Sequence, residues 1–230
     1  MILEISTNDL KQLVKNQVRN FFLIREEVEN TIIEECVDVA LEKVRECFSH
    51  LRMKYYSKGT EVYFNPFHGG QYTIFLYHLS RSIYLRYPEH STLADRVYYL
   101  NKSLNSVDLF YQVEMNNVFF LDHPFASVMG RANYGKFFTF AQSCTVGNNK
   151  GIFPKIGDNV RLSASVTLLG DCNIGDNVTF ASNTYVKDTD IPSCSLVFGV
   201  YPNLTIKPKD ASFFNNPLID YKDDGLRLFK

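Results

Sequence analysis

The stretch Ile156-Gly157-Asp158-Asn159-Val160 is repeated, letter for letter, as Ile174-Gly175-Asp176-Asn177-Val178, eighteen residues later. A large apolar residue occupies every sixth position through this region: Ile156, Leu162, Leu168, Ile174, Phe180 and Val186. Four places after each of the first five stands a small or β-branched residue: Val160, Val166, Cys172, Val178 and Thr184. A period of six fits neither a helix, with its period near 3.6, nor simple strand alternation. It predicts a chain coiled into a three-sided prism, with one short strand on each face.

The same register extends towards the N-terminus through Val146, Phe140, Tyr134 and Val128, which predicts about four stacked coils over residues 126–200. It breaks at two places. One is the lead-in Phe119-Phe120-Leu121-Asp122-His123-Pro124. The other is residues 147–155, where Ile152 and Ile156 are four positions apart instead of six. The second break predicts a loop that leaves the prism between two coils.

The composition excludes several classes of protein. Among 230 residues, 24 basic and 25 acidic side chains leave a formal charge of −1. The chain therefore lacks the excess of positive charge that is typical of proteins that bind nucleic acid or an anionic membrane. The N-terminus lacks the pattern of a secretory signal, and no run reaches the roughly 18 apolar residues that a membrane span needs. Five cysteines without a CxxC pair predict buried thiols in the cytoplasm rather than disulfides or a metal site.

Residues ahead of the repeats follow helical spacing. Helices are expected within 8–50, over 71–86 and over 92–104. We therefore predict an α+β fold in which an α-helical domain, 1–108, precedes a parallel β-helix with hexapeptide repeats, 109–207. Residues 208–230 are expected to form a C-terminal tail.

His123 is the candidate catalytic residue, because it is the histidine that lies at the start of the repeats. A histidine takes up a proton near neutral pH and can therefore activate a hydroxyl group, although a purely structural role is an equal alternative from its position. A carboxylate would fix its tautomer, and Glu114 and Asp122 are near in sequence. On an extended strand, adjacent side chains point in opposite directions. Glu114 is therefore the expected partner, and Asp122 is expected to contact substrate.

The repeat region resembles the left-handed β-helix acetyltransferases, and among them serine acetyltransferase most. The resemblance rests on Leu121-Asp122-His123 at the start of the prism, on Gln142-Ser143-Cys144-Thr145-Val146-Gly147, and on Pro154-Lys155-Ile156 where the repeat resumes. Phe198-Gly199-Val200-Tyr201-Pro202-Asn203 is similar to the closing segment of that family. The left-handed sense follows from the resemblance, because parallel crossovers are otherwise nearly always right-handed.

The resemblance implies transfer of acetyl from acetyl-CoA to an alcohol, with His123 as base, Asp122 as a substrate-binding carboxylate and no metal. It also implies that the cofactor lies along the later coils. The expected cofactor-binding residues are Gly147, Asn149, Lys150, Ala164, Ser182 and Lys207. Lys150 and Lys207 are equally interpretable as ordinary solvated lysines, and Cys144 as a structural thiol. The family further implies a homotrimer or a dimer of trimers.

The departures from the family bear on the acceptor. Ile152 and Phe153 stand where serine acetyltransferases carry an Arg-His pair that binds the carboxylate of serine. We expect Phe153 to contact a neutral acceptor, such as a hydroxyl of a sugar, sugar nucleotide or surface polysaccharide. Gly130-Arg131-Ala132-Asn133-Tyr134-Gly135 resembles variants that accompany polysaccharide assembly. Leu228-Phe229-Lys230 also departs from the isoleucine ending with which the family binds its partner synthase. Serine itself is the main alternative acceptor, and amine acetylation and a non-enzymatic scaffold are the others.

Overall fold

A computed structural model describes residues 1–24 and 27–221. The chain forms two compact units, Met1–Gln112 and a second that begins at Val113. The helices are α1 (Thr7–Phe21), α2 (Glu27–Phe48), α3 (Gly69–Arg86) and α4 (Ser91–Asn105), with short 3-10 turns at Pro88–His90 and Ala211–Phe214. The strands are β1 (Ile2–Leu3), β2 (Ser57–Lys58), β3 (Glu61–Phe64), β4 (Val107–Leu109), β5 (Phe119–Leu121), β6 (Ser127–Met129), β7 (Asn133–Tyr134), β8 (Phe138–Phe140), β9 (Thr145–Gly147), β10 (Lys155–Ile156), β11 (Val160–Leu162), β12 (Thr167–Leu169), β13 (Asn173–Ile174), β14 (Val178–Phe180), β15 (Tyr185–Lys187), β16 (Ser195–Val200) and β17 (Asn203–Pro208).

The first unit is helical, as the spacing predicts. Helix α3 is buried over most of its length, because it packs against both α2 and α4. The turn-rich stretch between α2 and α3 contains the hairpin β2–β3, and β1 pairs parallel with β3 to make a three-stranded sheet that the sequence did not indicate. Its core also contains a charged pair, since the carboxylate of buried Glu29 accepts hydrogen bonds from the guanidinium of Arg96.

The second unit is a parallel β-helix of about five turns, which confirms the predicted fold class. Strands β5, β8, β11, β14 and the start of β16 stack in parallel on the first face. On the second face β6, β9, β12 and β15 stack, and on the third β7, β10 and β13. Lys155 pairs with Asn173, and Val160 with Val178, which is the eighteen-residue step of the repeat. This arrangement agrees with a left-handed, hexapeptide-repeat β-helix.

The interior of the β-helix is made of the residues that define the period. Ile156, Leu162, Leu168, Ile174, Phe180 and Val186 are all buried, and so are the smaller residues four places after the first five. The expectation for Val128 is wrong, because its side chain is exposed and Met129 points inward instead. The cause is a shorter first step on the second face, where Met129 pairs with Val146, seventeen residues away.

The loop at the second break leaves the prism as predicted. Lys155 pairs with Asn133, a step of 22 residues in place of 18, and the four extra residues form a tight turn closed by two hydrogen bonds between Asn149 and Ile152. Residues 203–208 continue the sheet of the first face beyond the last coil. They form β17, which pairs antiparallel with β16 and so extends the last coil.

The C-terminal segment is fixed against the first face of the β-helix. The side chain of Asn159 donates to the carbonyl of Phe214 and accepts from the hydroxyl of Tyr221. The Tyr221 ring packs edge-on to Phe137, with ring centroids 4.9 Å apart. Residues 228–230, which the sequence analysis singled out, lie outside the described part of the chain. Within the described residues no helix combines the length and the apolar character needed to cross a membrane.

Candidate active site

Two edges of the prism carry the candidate site residues. We name the corner between the first and second faces the histidine edge. Here the chain passes from β5 to β6, from β8 to β9, from β11 to β12 and from β14 to β15. It carries His123 on the first coil, Ala164 on the third and Ser182 on the fourth. The corner between the second and third faces, where the chain passes from β9 to β10, is the loop edge, with Asn149 and Phe153.

His123 is presented to solvent by a sharp change in backbone direction. Strand β5 ends at Leu121, and His123 adopts φ +50°, in the left-handed region that non-glycine residues rarely occupy. The side chain is 86% exposed. An exposed imidazole at the outer corner of a packed prism is accessible to a ligand and contributes nothing to the core.

Asp122 is the carboxylate that the structure places beside this imidazole. Its Oδ1 is 3.9 Å from Nε2 of His123, so the expectation that the two side chains point apart is wrong. The reason is the positive φ of His123, which ends the strand geometry on which that expectation depended. Glu114 is exposed in the irregular segment ahead of β5, and its role as the partner of His123 stays a prediction.

Arg161 completes a row of three ionisable groups, and it is not among the residues predicted from the sequence. It lies in the middle of β11 and points outward between the buried residues Val160 and Leu162. Its Nη2 is 3.8 Å from Oδ2 of Asp122. Outward positions of a hexapeptide repeat carry no periodic signal, so the sequence offers nothing that would mark this arginine.

A cavity of about 340 Å³ opens beside Arg161 on the first face. Its floor is made of the outward side chains of β8, β11 and β14 with the following corner, and its other wall is the C-terminal segment. The lining residues are Thr139, Asn159, Arg161, Ser163, Thr179, Phe213, Phe214, Asn215, Asn216, Pro217 and Ile219. Its volume lies at the lower end of the range for small-molecule sites.

The expected cofactor residues of the later coils lie along the histidine edge. Ala164 is half-buried and Ser182 is exposed, each at the corner of its coil. Lys207 lies in β17, next to the last coil, with its Nζ 5.1 Å from the centroid of the Phe198 ring. From β5 to β16 the first face makes four inter-strand steps, so this edge is roughly 19 Å long. That is the length scale of an extended pantetheine arm.

The remaining predicted residues lie at the loop edge, so one chain does not bring them to His123. Asn149 Nδ2 donates to Asp188 at 2.6 Å, and Lys150 is exposed at the tip of the turn. The ring of Phe153 lies over Gly130, where a Cβ would come within 2.9 Å of it. Gly147 ends β9 against the side chain of Leu169. Ile152 is about half exposed.

Cys144 is a structural residue of the interior. It is fully buried, its Sγ lies 3.1 Å from the carbonyl oxygen of Ser163, and burial raises the pKa of its thiol. A thiol that resists ionisation is a poor nucleophile. Among the described residues, no cluster of three or more His, Cys, Asp or Glu side chains is arranged to hold a metal ion.

This chain is similar in sequence and in structure to known transferases. Residues 153–188 match the family described as bacterial transferase hexapeptide (six repeats). Serine acetyltransferase from Staphylococcus aureus strain Mu50 is 25% identical over a 117-residue alignment, and the match covers 44% of this chain and 49% of the relative. The chain thus spans about half the length of the curated relatives that it matches.

Solved structures of serine acetyltransferases share the fold. One solved in complex with CoA superimposes with a TM-score of 0.63 at 16% identity, over 87% of this chain and 84% of that one. The Neisseria gonorrhoeae serine acetyltransferase in complex with serine gives a TM-score of 0.56 at 25% identity, over 77% and 69% of the two chains. These similarities cover the helices as well as the β-helix.

Proposed function

We propose that this protein is an acetyl-CoA-dependent O-acetyltransferase in which His123 is the general base. The observation that carries the proposal is the exposed imidazole at the first corner of the edge that also holds Ala164 and Ser182. Two comparisons support it: the relatives are named serine acetyltransferases, and one structure with this fold was solved with CoA.

The chemistry needs a base and a stabilised oxyanion. The His123 imidazole removes the proton of the acceptor hydroxyl as its oxygen attacks the thioester carbonyl of acetyl-CoA. The carboxylate of Asp122, 3.9 Å away, stabilises the imidazolium that forms. Backbone amides stabilise the tetrahedral oxyanion. When this intermediate collapses, the C–S bond breaks, the acetyl ester remains on the acceptor, and the CoA thiolate takes the proton from the imidazolium.

L-Serine is the acceptor that the comparisons favour over a sugar, because the relatives carry that name. A sugar hydroxyl is the second candidate, and the apolar pair at the loop edge supports it. Ile152 is exposed and Phe153 covers Gly130, so this loop offers an aromatic and aliphatic surface in place of cations. Such a surface suits the face of a sugar ring.

The separation of the two edges supports a site built between subunits. In a trimer of parallel prisms the histidine edge of one subunit faces the loop edge of its neighbour, which brings Lys150 and Phe153 to His123. We therefore propose a homotrimer, with a dimer of trimers as the larger assembly. The cytoplasm, which supplies acetyl-CoA, is the compartment that fits this chemistry.

Release of free thiol from acetyl-CoA tests the proposal. The protein is given L-serine or candidate sugars, and His123→Ala should lower turnover by about 10²- to 10⁴-fold, the usual contribution of a general base. Mass spectrometry before and after mild alkali separates an ester product from an amide. Full turnover in His123→Ala would remove the assigned base. Absence of acetyl-CoA binding by calorimetry, with every acceptor inactive, would favour a scaffold instead.

A further inference from the structure

Arg161 is distant from Asp122 in the sequence, and the stacking of the coils brings the two residues together. On the first face, Phe120, Thr139 and Arg161 are paired in register on successive coils, so Arg161 stands two coils away from the strand that ends next to Asp122. The intervening residue is a short threonine. The long arginine side chain therefore passes back over Thr139 and places Nη2 3.8 Å from the Asp122 carboxylate.

The guanidinium retains its hydrogen-bonding capacity for a ligand. A separation of 3.8 Å is longer than a hydrogen bond, so the contact with Asp122 is electrostatic. Within residues 1–24 and 27–221, the structure assigns the Arg161 side chain no hydrogen bond to a protein acceptor. The side chain is half exposed, and it borders the cavity on the first face. Its planar fork of donors matches the two oxygens of a carboxylate.

The row Arg161, Asp122, His123 has an order that fits one class of acceptor. Asp122 stands in the middle, with Oδ2 towards the guanidinium and Oδ1 towards the imidazole. An α-amino acid carries its carboxylate and ammonium on one carbon and its hydroxyl on the next. The Arg161 guanidinium and the Asp122 carboxylate are 3.8 Å apart, so they can bind the carboxylate and the ammonium group of the amino acid side by side. The hydroxyl of the amino acid then reaches the His123 imidazole.

We infer that Arg161 is the specificity-determining residue that binds the carboxylate of the acceptor, with Asp122 receiving its ammonium group. This inference rests on the proposed acetyltransferase function. The relatives are named for serine, but Ile152 and Phe153 provide no cation for a serine carboxylate at the loop edge. In this inference the cation is Arg161 on the first face, so the two observations agree. Among the described residues that line the cavity, the others carry neutral hydroxyls, amides and apolar groups, so Arg161 is the cation of this set.

The test uses acceptors that differ in the carboxylate alone. L-Serine is compared with 2-aminoethanol, and D-glucuronate with D-xylose, for the wild type, Arg161→Gln and Arg161→Lys. Arg161→Gln should lower kcat/KM for the carboxylate-bearing member by about 10- to 100-fold, the value of a hydrogen-bonded charge. The neutral member should change by less than about twofold. Arg161→Lys should fall between, since lysine keeps the charge but loses the fork.

Arg45→Gln is the matched control, because Arg45 is also half exposed beside a carboxylate, with Nη1 3.3 Å from Glu42 on helix α2. It should leave all rates unchanged. Equal effects of Arg161→Gln on both members of a pair, no effect on the carboxylate-bearing member, or wild-type turnover of neutral acceptors alone would each overturn the inference. Absence of thiol release by the wild type with every acceptor would instead refute the proposed function, and this inference with it.

Discussion

The two units of this protein use the same ionisable side chains in opposite ways. In the helical unit, Glu29 is buried against Arg96, and His78 is enclosed in α3. In the β-helix, Asp122 faces Arg161 across 3.8 Å at the surface, and His123 is 86% exposed. The first pair and the first histidine belong to the core, whereas the second pair and the second histidine stand at an edge. The comparison teaches that residue type alone does not mark a site, and that exposure and neighbours decide it.

Breaking the two carboxylate–arginine pairs should have contrasting consequences. Glu29→Gln leaves the Arg96 charge uncompensated in the core and should lower the free energy of unfolding by about 3–5 kcal/mol. Asp122→Asn breaks an exposed pair and should change it by less than about 1 kcal/mol. Urea unfolding measures both. Asp122→Asn should also lower turnover, while Glu29→Gln should keep full activity per folded molecule. Equal destabilisation by the two variants would contradict the contrast.

The neighbours Leu168 and Leu169 test whether the β-helix core follows the period of six. Leu168 is fully buried and its neighbour Leu169 points outward at the end of β12. Leu168→Ala should lower the free energy of unfolding by about 2–5 kcal/mol through loss of buried area and creation of a cavity. Leu169→Ala should cost much less. Similar costs at both positions would mean that the alternation of the strand is not as described.

The histidine edge should be sensitive to added volume where the cofactor passes. Ala164→Leu fills the corner of its coil and should raise KM for acetyl-CoA about tenfold, in line with the 1–3 kcal/mol that overpacking costs. KM for the acceptor serves as the internal control and should stay within about twofold. An unchanged KM for acetyl-CoA would place the cofactor away from this edge.

Burial of His78 should make the stability of the helical unit depend on pH. Burial lowers the pKa of His78 to about 3 from its ordinary value of 6.5. The unfolded chain therefore binds a proton below pH 6.5 that the folded protein does not, so stability falls as pH falls through 6.5. From pH 7 to pH 5 the loss should be about 2 kcal/mol, and it should be smaller in His78→Gln. Parallel decreases of Tm in both proteins would show that other groups set the acid sensitivity.

The sequence predicted those features that repeat. The period of six identified the buried positions from Tyr134 to Val186, and the helical spacing located α3 and α4, because one-sided burial imposes a period on the chain. Val128 was misplaced because the first step of the second face is one residue short. Only the pairing of strands shows such a step.

The site was less predictable, since it depends on contacts between coils. His123 was found because it stands next to a break in the repeat. The orientation of the Asp122 side chain depends on the backbone angle φ of His123, and no sequence pattern predicts that angle. Arg161 is 39 positions after Asp122 in the sequence and reaches it only because the coils stack. Local sequence therefore indicated the base, and three-dimensional stacking supplied its surroundings.

A crystal structure of the protein with CoA tests the central claim most directly. We predict that the sulfur lies beside the His123 imidazole and that the pantetheine arm follows the corners of Ala164 and Ser182 towards Lys207. CoA bound on another edge, with its sulfur beyond the reach of the imidazole, would contradict it.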